Sequence, residues 1–226
     1  MAEIRNIPVK KLVPNNKRLS VLVKDQITEW IIDGTLQAGQ KICEDDLAER
    51  LGVSRMPVRE ALRVMENMGM VESTPFVGSV IREFSKEELE EMYMLRVLLE
   101  STACVYAAER ITPEAIFELE RIQRNMDDVG QASHDFEKGK ELHNLNREFH
   151  FKMYESANLP KLFSIIENLW EATAFVRIKS AYEPDYAQRQ RAEHNLYMQL
   201  LRERKGDELR AIFAENTTKH MHRLKE

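Results

Sequence analysis

Over the first eighty positions, apolar residues recur in short runs at helical spacing, and glycines separate the runs. Leu19, Val23, Ile27, Trp30 and Ile31 share one helix face, and Asp33-Gly34 supplies a stop signal. A second run from about Glu44 to Leu51 keeps Leu47, Ala48 and Leu51 inward. Gly52-Val53 predicts a short turn, and Ser54 stands where a helix N-cap belongs. The third helix carries Pro57 in its first turn, where a missing N–H costs little. Val58, Leu62 and Met65 face inward, and Gly69 ends the run. Met70–Thr74 and Ser79–Glu83 predict two short strands joined by Pro75-Phe76-Val77-Gly78. Three helices with a tight glycine turn, then a hairpin, is the order of a winged helix-turn-helix.

Beyond Ser85 the pattern changes to long amphipathic helices with few breakers. Five of the eight glycines lie in the first 83 residues, which places a domain boundary near residues 82–85. The expected division is 1–84 for the winged helix-turn-helix and 85–226 for an all-α bundle, making the fold mainly α. Ser85-x-x-Glu88 is a capping box. It opens a helix to about Arg110 that is apolar on several sides: Leu89, Met92, Leu95, Leu98, Leu99, Ala103 and Val105. That width predicts burial in a bundle or at a dimer interface. Thr112-Pro113 opens the next helix, and further helices are expected at about 138–157, 160–181, 185–204 and 207–224.

Composition narrows the class. Hydrophobic residues at 43% and charged residues at 31% are ordinary for a globular protein. Cys43 and Cys104 stand far apart, without metal-ligand or disulfide spacing. No apolar run is long enough to span a membrane, and a cytoplasmic protein is expected. The net charge of -5 argues against a general polyanion binder, yet residues 1–83 balance 12 Lys and Arg against 12 Asp and Glu. Arg5, Lys10, Lys11, Lys17, Arg18 and Lys24 oppose only Glu3 up to that point. Such a cluster is either a solvated arm or a set of phosphate contacts.

On the third helix Arg55, Arg59 and Arg63 recur every four residues, opposite the inner stripe. With Ser54 at the N-terminus, one face offers backbone N–H groups, a hydroxyl and guanidinium forks, the groups that hold phosphates and read guanine in a major groove. Taken alone, three arginines also fit a solvated basic face; the surrounding helix-turn-helix order favours DNA. The run DDLAERLGVSRMPVREALRVMENMGMV (45–71), with GTLQAGQKI (34–42) before it, closely resembles the helix-turn-helix of the GntR family. That resemblance implies that Ser54, Arg55 and Arg59 contact an operator in double-stranded DNA, and that Gly78 sits at the wing tip in the minor groove. Met56 replaces a common Thr, and Asp45 stands where some members carry an Arg that touches DNA.

In the second part, His150 shares a face with Leu142, Asn146, Phe149 and Met153. His194 keeps step with Tyr197 and Leu201, and His220 with Leu209, Phe213 and Asn216. Each is either a hydrogen-bonded core histidine or one of several imidazoles converging on a divalent transition metal. His134, His143 and His222 lack such support and are expected to be exposed. Arg96 sits on an apolar face and needs an anion: Glu100 one turn later, or the carboxylate of a metabolite. LEEMYMLRVLLESTACVYAAERITPEA (89–115), NREFHFKMYESANLPKL (146–162) and Glu193-His194 resemble the FCD effector domain of the FadR subfamily. The resemblance implies a metal site (Zn, Ni or similar) at Asn146, His150, His194 and His220, with Arg96 lining an effector pocket. Asn146 replaces the usual Asp. The interval from His194 to His220 is also longer than usual, so that counting on from Gly206-Asp207 points to Thr218 where helix phase points to His220.

The function expected is a homodimeric, non-enzymatic transcription repressor released from DNA by a small carboxylate. The alternatives are a metal-free regulator of a larger acyl-type ligand and a helical metal-dependent hydrolase.

Overall fold

The computed structural model describes residues 18–74, 78–130, 136–174, 177, 180–183 and 185–223, without the side chains of Thr74 and Phe136. Arg5, Lys10, Lys11, Lys17, His134 and the hairpin tip 75–77 lie outside the described residues. The chain divides into two compact units, Met1–Phe84 and Ser85–Glu226.

In the first unit, α1 (Leu19–Ile32), β1 (Lys41–Ile42), α2 (Glu44–Leu51), α3 (Arg55–Asn67), β2 (Val71–Thr74) and β3 (Gly78–Ile81) follow in order. Helix α1 packs on α3, and α2 on α3. Val23, Ile27, Leu47, Leu51, Val58 and Met65 are fully buried, so the alternating inner stripes meet in one core. Gly52 closes α2 with φ 64, a left-handed C-cap that glycine adopts without a Cβ penalty. The turn it makes sets the angle at which α3 leaves the core. The hairpin is joined by a strand the apolar pattern did not reveal. Lys41–Ile42 pairs antiparallel with β3, giving the order β1-β3-β2, and two residues are too few to show an alternation.

The second unit is all helix among its described residues: α4 (Lys86–Arg110), α5 (Pro113–Gly130), α6 (Phe136–Glu155), α7 (Pro160–Ala172), α8 (Tyr186–Arg202) and α9 (Gly206–Arg223). Ser85 Oγ accepts a hydrogen bond from the Glu88 amide at 3.0 Å, the capping bond its spacing predicts. Helix α4 lies against α9, α7, α6 and α8, while α5 packs on α6 and α8. Cys104, Ala107, Leu119, Phe149, Tyr154, Trp170 and Phe213 form the main core. Helix α4 is not buried all round, because Met94, Leu95 and Leu98 are 56%, 39% and 55% exposed.

Helix α7 is shorter than the expected 160–181. It ends at Ala172 with Thr173 as C-cap, and the Thr173 hydroxyl donates back to the Leu169 carbonyl at 2.9 Å. Such a bond bends a helix rather than ending its ladder: the Thr173 carbonyl still accepts from the Arg177 amide at 3.2 Å, and Ala174, Arg177 and Ser180 are again helical.

Candidate functional site

The outer face of α3 carries the first candidate. Val58, Ala61, Leu62 and Met65 turn inward, which leaves Arg55, Arg59 and Arg63 exposed with Ser54 at the N-terminus. Ser54 is the N-cap by backbone shape, φ -75 and ψ 167, but its side chain makes no capping bond. Two acidic residues at the start of α2 hold two of the arginines. Arg55 pairs with Asp45, and Arg59 donates to Glu44 Oε2 from Nη2 at 2.9 Å and from Nε at 3.2 Å. Gly78 opens β3 opposite Thr74 with φ 97, a conformation in the region that favours glycine.

The second candidate is a cavity of about 50 Å³ inside the helical unit. Arg96 from α4, Asn146 and His150 from α6 and His220 from α9 all line it, together with Tyr93, Arg177 and Glu193. His194 stands behind this lining, wholly buried and stacked on Phe149 at 3.7 Å.

Hydrogen bonds fix the tautomers of His150 and His194. Gln123 donates through Nε2 to Asp127 at 2.7 Å, so its Oε1 accepts from His194 Nδ1–H at 2.6 Å. Tyr154 donates its hydroxyl proton to Glu100 at 2.5 Å, so its oxygen accepts from His150 Nδ1–H at 3.2 Å. Both Nε2 atoms therefore carry bare lone pairs, and they face one another 3.4 Å apart. The rings are neutral. Burial, then the charge of His220, lowers His194 to about 3, and burial followed by His194 and Arg177 holds His150 well below its usual value.

The other two expected ligands differ. Asn146 is 6% exposed, and its Oδ1 has no hydrogen-bond partner among the described residues. His220 Nε2 is held by Glu193 Oε1 at 2.9 Å, whereas Thr218 bonds back to the Ala214 carbonyl. Among the described residues, no three His, Cys, Asp or Glu side chains gather at metal-binding distance. His143 is buried at 8% exposure, not exposed as expected. It precedes Asn146 by three residues on α6, so it shares the inward face. His222 is exposed.

Arg96 finds its anion within its own helix, with Nε 2.6 Å from Glu100 Oε1. Sequence reasoning missed Arg177. Its guanidinium is 9% exposed and lies 3.1 Å from the centroid of the Trp170 ring, and its Nη2 has no partner among the described residues. Burial, then the charge of Arg96, lowers it to about 9.

Residues 19–81 match the bacterial regulatory proteins of the gntR family, and residues 91–221 match the FCD domain. The chain belongs to the gntR family and carries an FCD domain. This gntR regulator is 31% identical to the HTH-type transcriptional regulator McbR of Escherichia coli over 67% of each chain. It is 30% identical to the Nta operon transcriptional regulator of Aminobacter aminovorans, over 83% of its own length and 86% of that protein's. The solved structure of E. coli McbR/YncC aligns with a TM-score of 0.64 at 26% identity, covering 92% of this chain and 98% of that one. The mainly α fold with an N-terminal helix-turn-helix is thereby borne out, and the gntR regulator is a DNA-binding transcription regulator with a small-molecule effector domain.

Proposed function

We propose that this gntR regulator is a cytoplasmic repressor whose homodimer grips an operator and lets go when a small carboxylate enters the FCD cavity. In this reading residues 1–84 bind DNA, and 85–226 bind effector and dimerise. The observation that carries it is the cavity itself, where polar atoms of Asn146 and Arg177 stand buried without partners among the described residues. Buried polar groups are almost always hydrogen-bonded, so both atoms suit a ligand. A buried water molecule needs about 10–15 Å³ of cavity; 50 Å³ therefore suits a short acid and speaks against the larger acyl ligand. Two regulator families matching most of the chain speak against the hydrolase.

Ser54, Arg55, Arg59 and Arg63 are assigned to the operator, and Gly78 to the wing contact. Arg59→Ala should weaken operator binding about 10- to 100-fold, the span of one bidentate base contact, in a fluorescence-anisotropy titration. Unchanged affinity would show that α3 is not the reading helix. Exposed Met94, Leu95 and Leu98 on α4 support the homodimer; light scattering that finds only monomer at operator-binding concentrations would reject it.

The donor set also suits a divalent transition ion. Nitrogens of two histidines on one tetrahedral zinc stand about 3.3 Å apart, close to the 3.4 Å between His150 and His194. Their Nδ1 partners orient both lone pairs in the way metal-ligating histidines are held. His150, His194 and Asn146 Oδ1 would hold the ion, with His220 released from Glu193 as a fourth ligand. When bound, the ion supplies positive charge for a carboxylate. Elemental analysis of purified protein should find about one zinc or nickel per chain, and His150→Ala should lose it; equal metal content in the variant would reject the site.

A further inference from the structure

We propose that Arg177 is the effector's counter-ion, taking the carboxylate of a short-chain acid directly, whether or not a metal ion is bound at His150 and His194. The inference rests on the reading of the FCD cavity as the effector site, and it moves the anion-binding role away from Arg96.

The charges around the cavity decide between the two arginines. Arg96 is already compensated, with Nε at 2.6 Å and Nη2 at 3.4 Å from the Glu100 carboxylate. A ligand carboxylate would have to displace a fully buried glutamate that also accepts the Tyr154 hydroxyl. Glu193, the acid lining the cavity, is engaged by His220. Arg177 has no carboxylate at ion-pair distance among the described residues, and its Nη2 has no partner there.

A buried, always-charged guanidinium without an anion is costly. Stacking on Trp170 offsets part of that cost, since a ring face attracts a cation. It leaves Nη2 without a partner among the described residues, and the in-plane N–H groups of a guanidinium match a carboxylate's two oxygens. The neighbours add neutral donors: Tyr93 and Tyr186 both line the cavity with Ser180 and Gln190, while the lining acid, Glu193, is bonded to His220. Burial keeps both phenols protonated, raising Tyr93 and lifting Tyr186 above the ordinary tyrosine range. Arg177 thus lines the cavity beside neutral donors and without a carboxylate at ion-pair distance among the described residues, the environment a single ligand carboxylate completes.

The experiment uses the full chain, dialysed against EDTA, in a Trp30→Phe background so that Trp170 alone reports. Acetate, propionate and phosphate are titrated, with acetamide as the uncharged isostere of acetate. The carboxylates should change Trp170 fluorescence saturably and acetamide should not. Phosphate binding as tightly as acetate would overturn the assignment to carboxylates. Arg177→Gln should weaken carboxylate binding about 10- to 100-fold, the loss expected for hydrogen bonds to a charged group, and Arg177→Lys should retain part of it. Without ligand, Arg177→Gln should melt at or above the wild-type temperature, because it removes an uncompensated buried charge; a purely structural arginine would give a lower one. Carboxylate binding that is equal in Arg177→Gln, or that appears only after zinc is returned, overturns the proposal and leaves the effector site standing. No carboxylate binding with or without zinc overturns the effector site as well.

Discussion

Glu100→Ala should destabilise the FCD unit by about 3–5 kcal/mol, the usual cost of removing one partner from a buried ion pair. Glu100 has no exposed surface, and its two oxygens serve the Arg96 guanidinium and the Tyr154 hydroxyl. Burial by itself would lower Arg96; the facing Glu100 carboxylate outweighs it and holds Arg96 above its ordinary value. Without that carboxylate, Arg96 and Arg177 would stand as two buried cations lining one cavity. A loss of this size is a large fraction of the about 5–15 kcal/mol that keeps a domain folded. Urea unfolding followed through Trp170 in a Trp30→Phe background reads it. Arg96→Met/Glu100→Leu should recover most of the loss, since an apolar pair of similar volume leaves no charge behind. If Glu100→Ala cost under about 1 kcal/mol, or the double variant were the worse of the two, the pair would not be the support described.

That ion pair was legible in the sequence, because one helical turn separates Arg96 from Glu100 and an arginine on an apolar face demands an anion. The winged unit was legible for a similar reason: its glycines punctuate short helices whose inner stripes are unambiguous. Four of the cavity's polar residues, Arg96, Asn146, His150 and His220, followed from helix phase. Arg177 was missed. Helix phase places it two turns after Trp170 on one face, but an arginine near the end of an amphipathic helix reads equally as a solvated charge until its ring contact is seen. His143 was misplaced because one inward stripe was read on α6, where burial spreads over Leu142, His143, Asn146, Phe149 and His150. The embrace of Arg55 and Arg59 by Asp45 and Glu44 joins two helices, so spacing within either one says nothing of it.

Acid should unfold the metal-free FCD unit well before the winged unit. His143 is lowered to about 3, by burial and then by Arg177 and Arg147. His194 is lowered to about 3 as well, and His150 lies well below its usual value. An unfolded histidine titrates near 6.5, so between about pH 6.5 and 3 the unfolded chain binds protons that the folded one refuses. The stability these three groups contribute is fully present above pH 6.5 and is lost as pH falls toward the folded values. Each group gives up as much as about 1.4 kcal/mol per pH unit, so the three together give a slope near 4 kcal/mol per unit at its steepest. The winged unit has no histidine in residues 1–84 and should hold its urea midpoint through this window. Each unit carries one tryptophan, Trp30 and Trp170, so fluorescence of the Trp30→Phe and Trp170→Phe variants follows the two midpoints separately. His143→Asn should take away about one third of the FCD slope while leaving His150 and His194 in place. Parallel loss of both midpoints from pH 6.5 to 4, or a slope indifferent to His143, would show that these histidines do not set the acid limit.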